Sequence, residues 1–114
     1  MKSKVLYLTA LLIPACFFTI IANAVELPPR EFLDRLPPLQ RAAYFEPAIA
    51  AAARREKVDA NLLWTIAYLE TRFRPWLTSP KKARGLMQFM PLTAAAYNLV
   101  NPFDPTASIN AAAK

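Results

Sequence analysis

LLWTIAYLETRFRPWLTSPKKARGLMQFMP, residues 62–91, is the stretch on which the reading of this chain turns. Its first half follows a helical pattern. Leu63, Ile66, Ala67, Glu70 and Phe73 recur at spacings of three and four and so share one face. Glu70 is the one acid in the stretch, and it continues the stripe of Leu63 and Ile66. A carboxyl held among apolar neighbours is partly desolvated, which disfavours its charged form. That is the condition a general acid needs near neutral pH. The plainer reading of the same residue is a solvated glutamate paired with Arg74, four positions on. Pro75 and Pro80 then stop the helix and impose a loop. Gly85 follows, the only glycine in the chain, and it marks a place where the backbone takes positive φ or passes close to something.

The blocks along this stretch fall in a recognisable order. Glu70-Thr71 is followed by Ser79-Pro80, then by Ala83-Arg84-Gly85-Leu86-Met87-Gln88-Phe89-Met90-Pro91, then by Thr93-Ala94. Residues 44–114 thereby resemble the lytic transglycosylases with a goose-type-lysozyme-like domain. Their pattern is Glu-Ser, a loop reading Ser-Pro-x-Gly-Ala-x-Gly-Leu-Met-Gln, and then Met-Pro-x-Thr-Ala. Several ordered blocks at the right separations make this more specific than any one tetrapeptide.

The resemblance implies a lysozyme-like helical domain of which this chain holds the N-terminal portion. It implies that Glu70 protonates the bond between N-acetylmuramic acid and N-acetylglucosamine in peptidoglycan. The same glutamate, now ionised, would take the proton of the muramoyl C6 hydroxyl, which closes a 1,6-anhydro ring. Water is not consumed, so no second carboxylate is required. The resemblance also places Ser79 and Gln88 in the cleft as polar groups, Met90 as an apolar floor under a sugar ring, and Gly85 where the backbone passes close to the glycan. From spacing alone, Met87 and Met90 read as core. The residue inventory agrees with a one-carboxylate mechanism. Asp59 lies about 16 Å back along the helix axis, too far for the paired carboxylates most glycosidases use. Asp104 stands before Pro105, where it reads as a helix cap.

The match departs from the pattern in three places. Thr71 replaces the usual Ser, with the hydroxyl retained. Lys82 stands where the loop has Gly, and if that position needs positive φ it costs about 1 kcal/mol or more. Lys82 also sets a second positive charge beside Lys81. Third, the family's domain continues into further helices and a Tyr-Asn segment, whereas Tyr97-Asn98 comes too early to supply it. On that basis the apolar residues Leu62, Leu69 and Phe73 are expected to be uncovered.

Composition bounds the remaining possibilities. The chain has 114 residues, no histidine and one cysteine, so it is one small domain without an intrachain disulfide. Ser-His-Asp and Cys-His catalysis are excluded, no metal site or cofactor is expected, and acid–base work falls to carboxylate, Tyr or Lys. Met1-Lys2-Ser3-Lys4, an apolar run through residues 5–21 and Ala22-Asn23-Ala24 read as a secretory signal peptide over residues 1–24. An uncleaved anchor and a lipidated Cys16 are the alternatives, and only these would attach the chain to a membrane. Cleavage after Ala24 would deliver a cysteine-free chain to the oxidising bacterial envelope, a secreted or periplasmic location. With 12 basic and 8 acidic residues, that chain carries +4. This charge suits the anionic wall polymer, though it also serves ordinary solubility. Aromatic residues are not interleaved with the cations, so nucleic acid is not an expected partner.

Residues 25–43 hold Pro28-Pro29 and Pro37-Pro38 and read as a lead-in segment with at most a helical turn or two. Pro47 opens an alanine-rich helix that ends in Arg54, Arg55 and Lys57. Asp59 caps the helix bearing Glu70, which is expected to run over residues 60–74 at the centre of the fold. Pro91 opens a third helix, and Asp104-Pro105 opens a fourth. No segment alternates with period two, so the fold class is all-α. Three readings follow. The first is a lytic transglycosylase acting on glycan strands. The second is a non-catalytic wall-binding or interaction fragment of that domain, serving an envelope assembly partner. The third is a goose-type-lysozyme-like hydrolase.

Overall fold

The computed structural model describes residues 26–114. The expected signal peptide, the anchor and Cys16 lie outside the described residues. Six helices follow in order: α1 (Arg30–Arg35), α2 (Pro38–Ala42), α3 (Glu46–Glu56), α4 (Ala60–Thr71), α5 (Pro91–Ala96) and α6 (Pro105–Ala113). The all-α expectation holds: extended pairing among the described residues is confined to isolated bridges, Thr78 with Arg84 and Arg84 with Phe89. No helix among the described residues is long and apolar enough to cross a membrane.

Local chemistry sets most of the helix starts. The Asp59 carboxylate accepts the Asn61 N–H at 2.8 Å and caps α4. The Asp104 carboxylate accepts the Ala107 N–H at 3.1 Å and caps α6. Each satisfies one of the orphan donors of a first turn. Proline occupies the first turn of α2, α3, α5 and α6, where its missing N–H costs nothing.

Helix α3 packs against both α4 and α6. Its buried side chains are Ala48, Ile49, Ala52 and Ala53, and three small residues of four let the neighbouring backbones come close. Phe45, immediately before α3, is fully buried and stacks on Phe73 with ring centroids 5.8 Å apart. Trp64 lies 5.2 Å from both Phe73 and Tyr68. Aromatic residues dominate such a core, because each buried ring contributes about 1.5–3 kcal/mol. A smaller cluster of Ala94, Leu99 and Ala111 lies between α5 and α6, with Phe89 packed against it.

The end of α4 differs from expectation. The helix stops at Thr71, not near Arg74, because Arg72 turns into the left-handed region at φ 51°. The Arg72 N–H then donates to the Tyr68 carbonyl at 3.0 Å, and the Phe73 N–H to the Ala67 carbonyl at 3.3 Å. The first is an ordinary helical bond and the second reaches back six residues, so the reversing chain itself satisfies carbonyls of the last turn. It folds Phe73 back beneath the helix, where it is wholly buried against Phe45 and Trp64. The expectation that Phe73 would be uncovered is therefore corrected, whereas Leu62 and Leu69 are exposed as expected.

A buried cation ties residues 30–42 to this turn. Arg41 is 1% exposed. Its Nε donates to the Leu33 carbonyl at 2.8 Å and its Nη2 to the Leu36 carbonyl at 2.7 Å and the Asp34 carbonyl at 3.3 Å. Its Nη1 donates to the Arg72 carbonyl at 2.7 Å. One guanidinium thus satisfies carbonyls at the end of α1 and at the end of α4. Desolvation lowers its pKa, the Arg74 charge lowers it further, and the Asp34 carboxylate opposes both.

Candidate active site

Helix α4 carries the candidate acid. Its buried stripe is Leu63, Ala67 and Thr71, each four residues from the next. At about 100° per residue, Glu70 falls about 60° from the centre of that stripe, on the side of Ile66. The angle is the one the apolar pattern requires, yet Glu70 is exposed. Burial on a helix face needs a neighbouring element over it, and although Thr71 at the same end of α4 is buried, Glu70 is left exposed. The expected desolvation is therefore not supplied by the folded chain. The plainer reading also fails. Arg74 has left the helix and its Nε lies 3.4 Å from the Asp34 carboxylate, and Glu70 makes no ion pair among the described residues.

Beside Glu70, one turn back on the same face, Ile66 forms part of a groove of about 290 Å³. Gln88, Met90, Thr93 and Ala112 line it as well. The structure thus brings Gln88 and Met90 together in one groove, which reaches α4 at Ile66, four residues before Glu70. Gln88 is held firmly. Its backbone is left-handed at φ 55°, and its Nε2 donates to the Gly85 carbonyl at 2.9 Å and the Leu77 carbonyl at 3.2 Å. Both amide protons are used, which leaves its side-chain oxygen as the acceptor. Met90 stays accessible at the groove rim, whereas Met87 is buried in the core.

Ser79 does not line this groove. Its hydroxyl accepts the Ala83 N–H at 3.0 Å, and its own N–H donates to the Ala83 carbonyl at 2.8 Å. Those bonds close the turn at residues 79–83, in which Lys82 has φ 69°. Lys82 therefore occupies the conformation its usual glycine serves. Relief of the left-handed penalty exceeds the added chain entropy of glycine. Lys82→Gly is expected to stabilise the fold by about 0.5–1 kcal/mol, seen as a higher urea midpoint at constant slope.

Gly85 is buried, with φ 78°. A Cβ there would lie 1.8 Å from the Pro102 carbonyl oxygen and 2.7 Å from its carbon. The close approach read from the sequence is real, but it is to Pro102, and Gly85 joins the loop to the segment before α6. The neighbour is backbone, so it yields poorly. Gly85→Ala is expected to cost about 2–4 kcal/mol from the left-handed backbone and overpacking together. A thermal midpoint lowered by less than 5 °C would show that the overlap relaxes cheaply.

Two contributors escape the sequence reading. Thr71, buried beside Glu70, sets its hydroxyl 2.9 Å from the Leu86 carbonyl and 3.2 Å from the Ala67 carbonyl. It fastens the end of α4 to the loop bearing Gln88, and the retained hydroxyl after Glu70 was its only signal. Arg41 fixes the Arg72 carbonyl, two residues past Glu70, and nothing in its local sequence marks it.

The chain matches known proteins over this same region. The family model of the transglycosylase SLT domain matches residues 47–114. Membrane-bound lytic murein transglycosylase F of Hahella chejuensis is 42% identical over 76 residues, covering 67% of this chain and 14% of that protein. The proteins of the same name from Pseudomonas fluorescens and Pseudomonas putida are 41% and 39% identical over 75 residues, 66% of this chain and 15% and 16% of theirs. The chain therefore spans about one seventh of the length of these curated relatives. A family match over more than half the chain, joined to the capped helix of Glu70 and its hydrogen-bonded loop, establishes that this chain belongs to the transglycosylase SLT domain family.

Proposed function

We propose that the chain acts on peptidoglycan as a lytic transglycosylase, with Glu70 as the sole acid–base group. The observation that carries this reading is the setting of Glu70. It is a carboxylate without an ion pair among the described residues, at the end of a capped helix and one turn beyond Ile66, which lines a groove with Gln88 and Met90. Asp59 and Asp104 are both engaged as helix caps, which leaves no second carboxylate beside it on α4. The Gln88 side-chain oxygen would accept a hydrogen bond from a sugar hydroxyl or acetamido N–H, and Met90 would lie under the ring face. Ser79 and Gly85 would act through the shape of the loop.

A glycan strand along the groove would take Glu70 out of water. The desolvation that a proton-donating carboxyl needs then arrives with the substrate. Glu70 would donate its proton to the glycosidic oxygen as the bond to the muramoyl anomeric carbon breaks. The carboxylate would then accept the C6 hydroxyl proton as that oxygen closes the 1,6-anhydro ring. Glu70 ends as it began, protonated, and no water enters. Residues 1–24 would direct the chain to the periplasm, residues 25–43 would lead in, and residues 44–114 would carry the domain.

The exposure of Glu70 favours a second reading, a wall-binding fragment without turnover. Mass spectrometry of the soluble products from purified peptidoglycan separates the outcomes. Anhydro-terminated muropeptides are expected. Reducing ends would identify a hydrolase. Retention of the chain on the wall with no soluble product would leave only binding.

A further inference from the structure

The charges of the described residues are unevenly placed. Residues 71–103 hold five cations, Arg72, Arg74, Lys81, Lys82 and Arg84, and no acid. Two of the five are engaged. Arg74 lies 3.4 Å from the Asp34 carboxylate, and the Arg72 guanidinium lies over the Tyr68 ring at 4.6 Å and donates to its hydroxyl at 2.6 Å. Lys81, Lys82 and Arg84 are exposed and make no ion pair among the described residues. All three sit on one firmly held loop. Thr78 and Arg84 pair across its base, and the Lys82 N–H donates to the Ser79 carbonyl at 2.9 Å within it. Behind it, Arg84 and Phe89 exchange N–H···O bonds of 3.0 and 3.1 Å. Pro80, Lys81 and Lys82 are exposed in succession at the tip. Lys82 holds a left-handed φ of 69° there, where glycine would cost less, and strain kept at an exposed cation points to a use for the charge.

A projecting tip meets a flat surface, whereas a small ligand is held by concave walls. Another exposed cationic cluster, Arg54, Arg55 and Lys57 at the end of α3, differs in having Glu56 and Asp59 among its cations. A patch of one sign turns a protein toward a surface of the opposite sign. We propose that the loop of Lys81, Lys82 and Arg84 docks the chain, tip first, on a bilayer containing anionic phospholipid. A bilayer presents its headgroups across a plane, so cations fixed in one loop engage it together and little is lost in ordering them. Each Lys or Arg near such a surface contributes about fivefold to binding at physiological salt, so three contribute about a hundredfold. Such contact would hold the chain at a membrane with neither an uncleaved anchor nor a lipidated cysteine. It does not depend on turnover at Glu70.

Sedimentation with vesicles tests the docking. The whole chain is mixed with vesicles of phosphatidylcholine alone, or of phosphatidylcholine with about one-third phosphatidylglycerol. It is expected to partition onto the anionic vesicles about a hundredfold more strongly. Raising the salt from about 0.1 M to 1 M, which shortens the Debye length to about 3 Å, is expected to remove that difference. Lys81→Gln together with Lys82→Gln is expected to lower binding to the anionic vesicles about thirtyfold. Arg54→Gln together with Lys57→Gln removes the same charge from the end of α3 and is expected to lower it by less than about threefold, because those cations would stand away from the surface. All four side chains are exposed, so both pairs should keep the thermal midpoint of the unaltered chain. Equal binding to the two kinds of vesicle, or equal losses from the two pairs, would overturn the proposal. So would a lysine pair that leaves vesicle binding unchanged but abolishes pelleting with purified wall, a result that would assign the loop to the wall polymer.

Discussion

Glu70→Gln is expected to reduce the release of anhydromuropeptides by about 10²–10⁴-fold, the contribution of a positioned general acid, while the fold keeps its stability. The two halves of this expectation come from different observations. Stability should hold within about 0.5 kcal/mol because Glu70 is exposed and has neither an ion pair nor a side-chain hydrogen bond among the described residues. Turnover should fail because the amide keeps the shape of the carboxyl but has no proton to donate and cannot take one back. Glycan binding should survive, since Gln88 and Met90 are untouched. Glu70→Asp is a sharper control. It keeps the charge and the titrating proton but withdraws the carboxyl by about one bond, and a 1 Å misplacement costs about 10²-fold. Both variants should match the unaltered chain in thermal midpoint and in pelleting with insoluble wall. Anhydro products released by the Gln variant at the parent rate would refute the mechanism, whatever the family relationship.

What could be read from the sequence was the chemistry that acts locally. Asp59 and Asp104 cap the helices that follow them because a side-chain oxygen meets an N–H two or three residues on. The prolines at 91 and 105 open helices for an equally local reason. The left-handed backbone at Lys82 was legible only through the glycine that the family pattern carries there. Gly85 was legible as a close approach, but its partner was not, because Pro102 is seventeen residues away and meets it only in the fold. Other left-handed positions gave no signal at all. Lys57, Arg72, Phe73 and Gln88 all have positive φ, and a chain with one glycine must fill such sites with residues that do not announce them. The early stop of α4 follows from one of these, and the burial of Phe73 follows from that stop. The exposure of Glu70 was hidden for another reason. Periodicity gives the angle of a residue around its helix, and burial depends on what another element lays over that angle. Ser79 shows a further ambiguity, since a Ser-Pro loop serves equally for lining a cleft and for closing its own turn.

Arg41→Ala is expected to destabilise the fold by about 3–5 kcal/mol, the largest loss of stability anticipated from any one side chain here. The residue sits in a proline-containing segment and looks from its neighbours like a solvated cation. In the structure it is buried, and its guanidinium donates to the carbonyls of Leu33, Asp34, Leu36 and Arg72. Truncation would strand several of these acceptors at once. Each buried acceptor left unsatisfied costs about 1–3 kcal/mol, and those near the surface recover part of it from water. A domain of this size has about 4–13 kcal/mol in total, so the variant should approach the limit of folding at 37 °C. Arg41→Lys is expected to recover only part of the loss, because an ammonium is a compact charge with three donors and cannot span carbonyls that the planar fork reaches together. Urea unfolding followed by the fluorescence of Trp64 and Trp76 gives the comparison, read as the midpoint at constant slope. The effect should also reach the site. The Arg72 carbonyl is held two residues beyond Glu70, so at low temperature, where Arg41→Ala remains folded, turnover should drop further than the folded fraction alone accounts for. A loss below about 1 kcal/mol, with turnover tracking the folded fraction, would mean that residues 30–42 rest on the domain without shaping it.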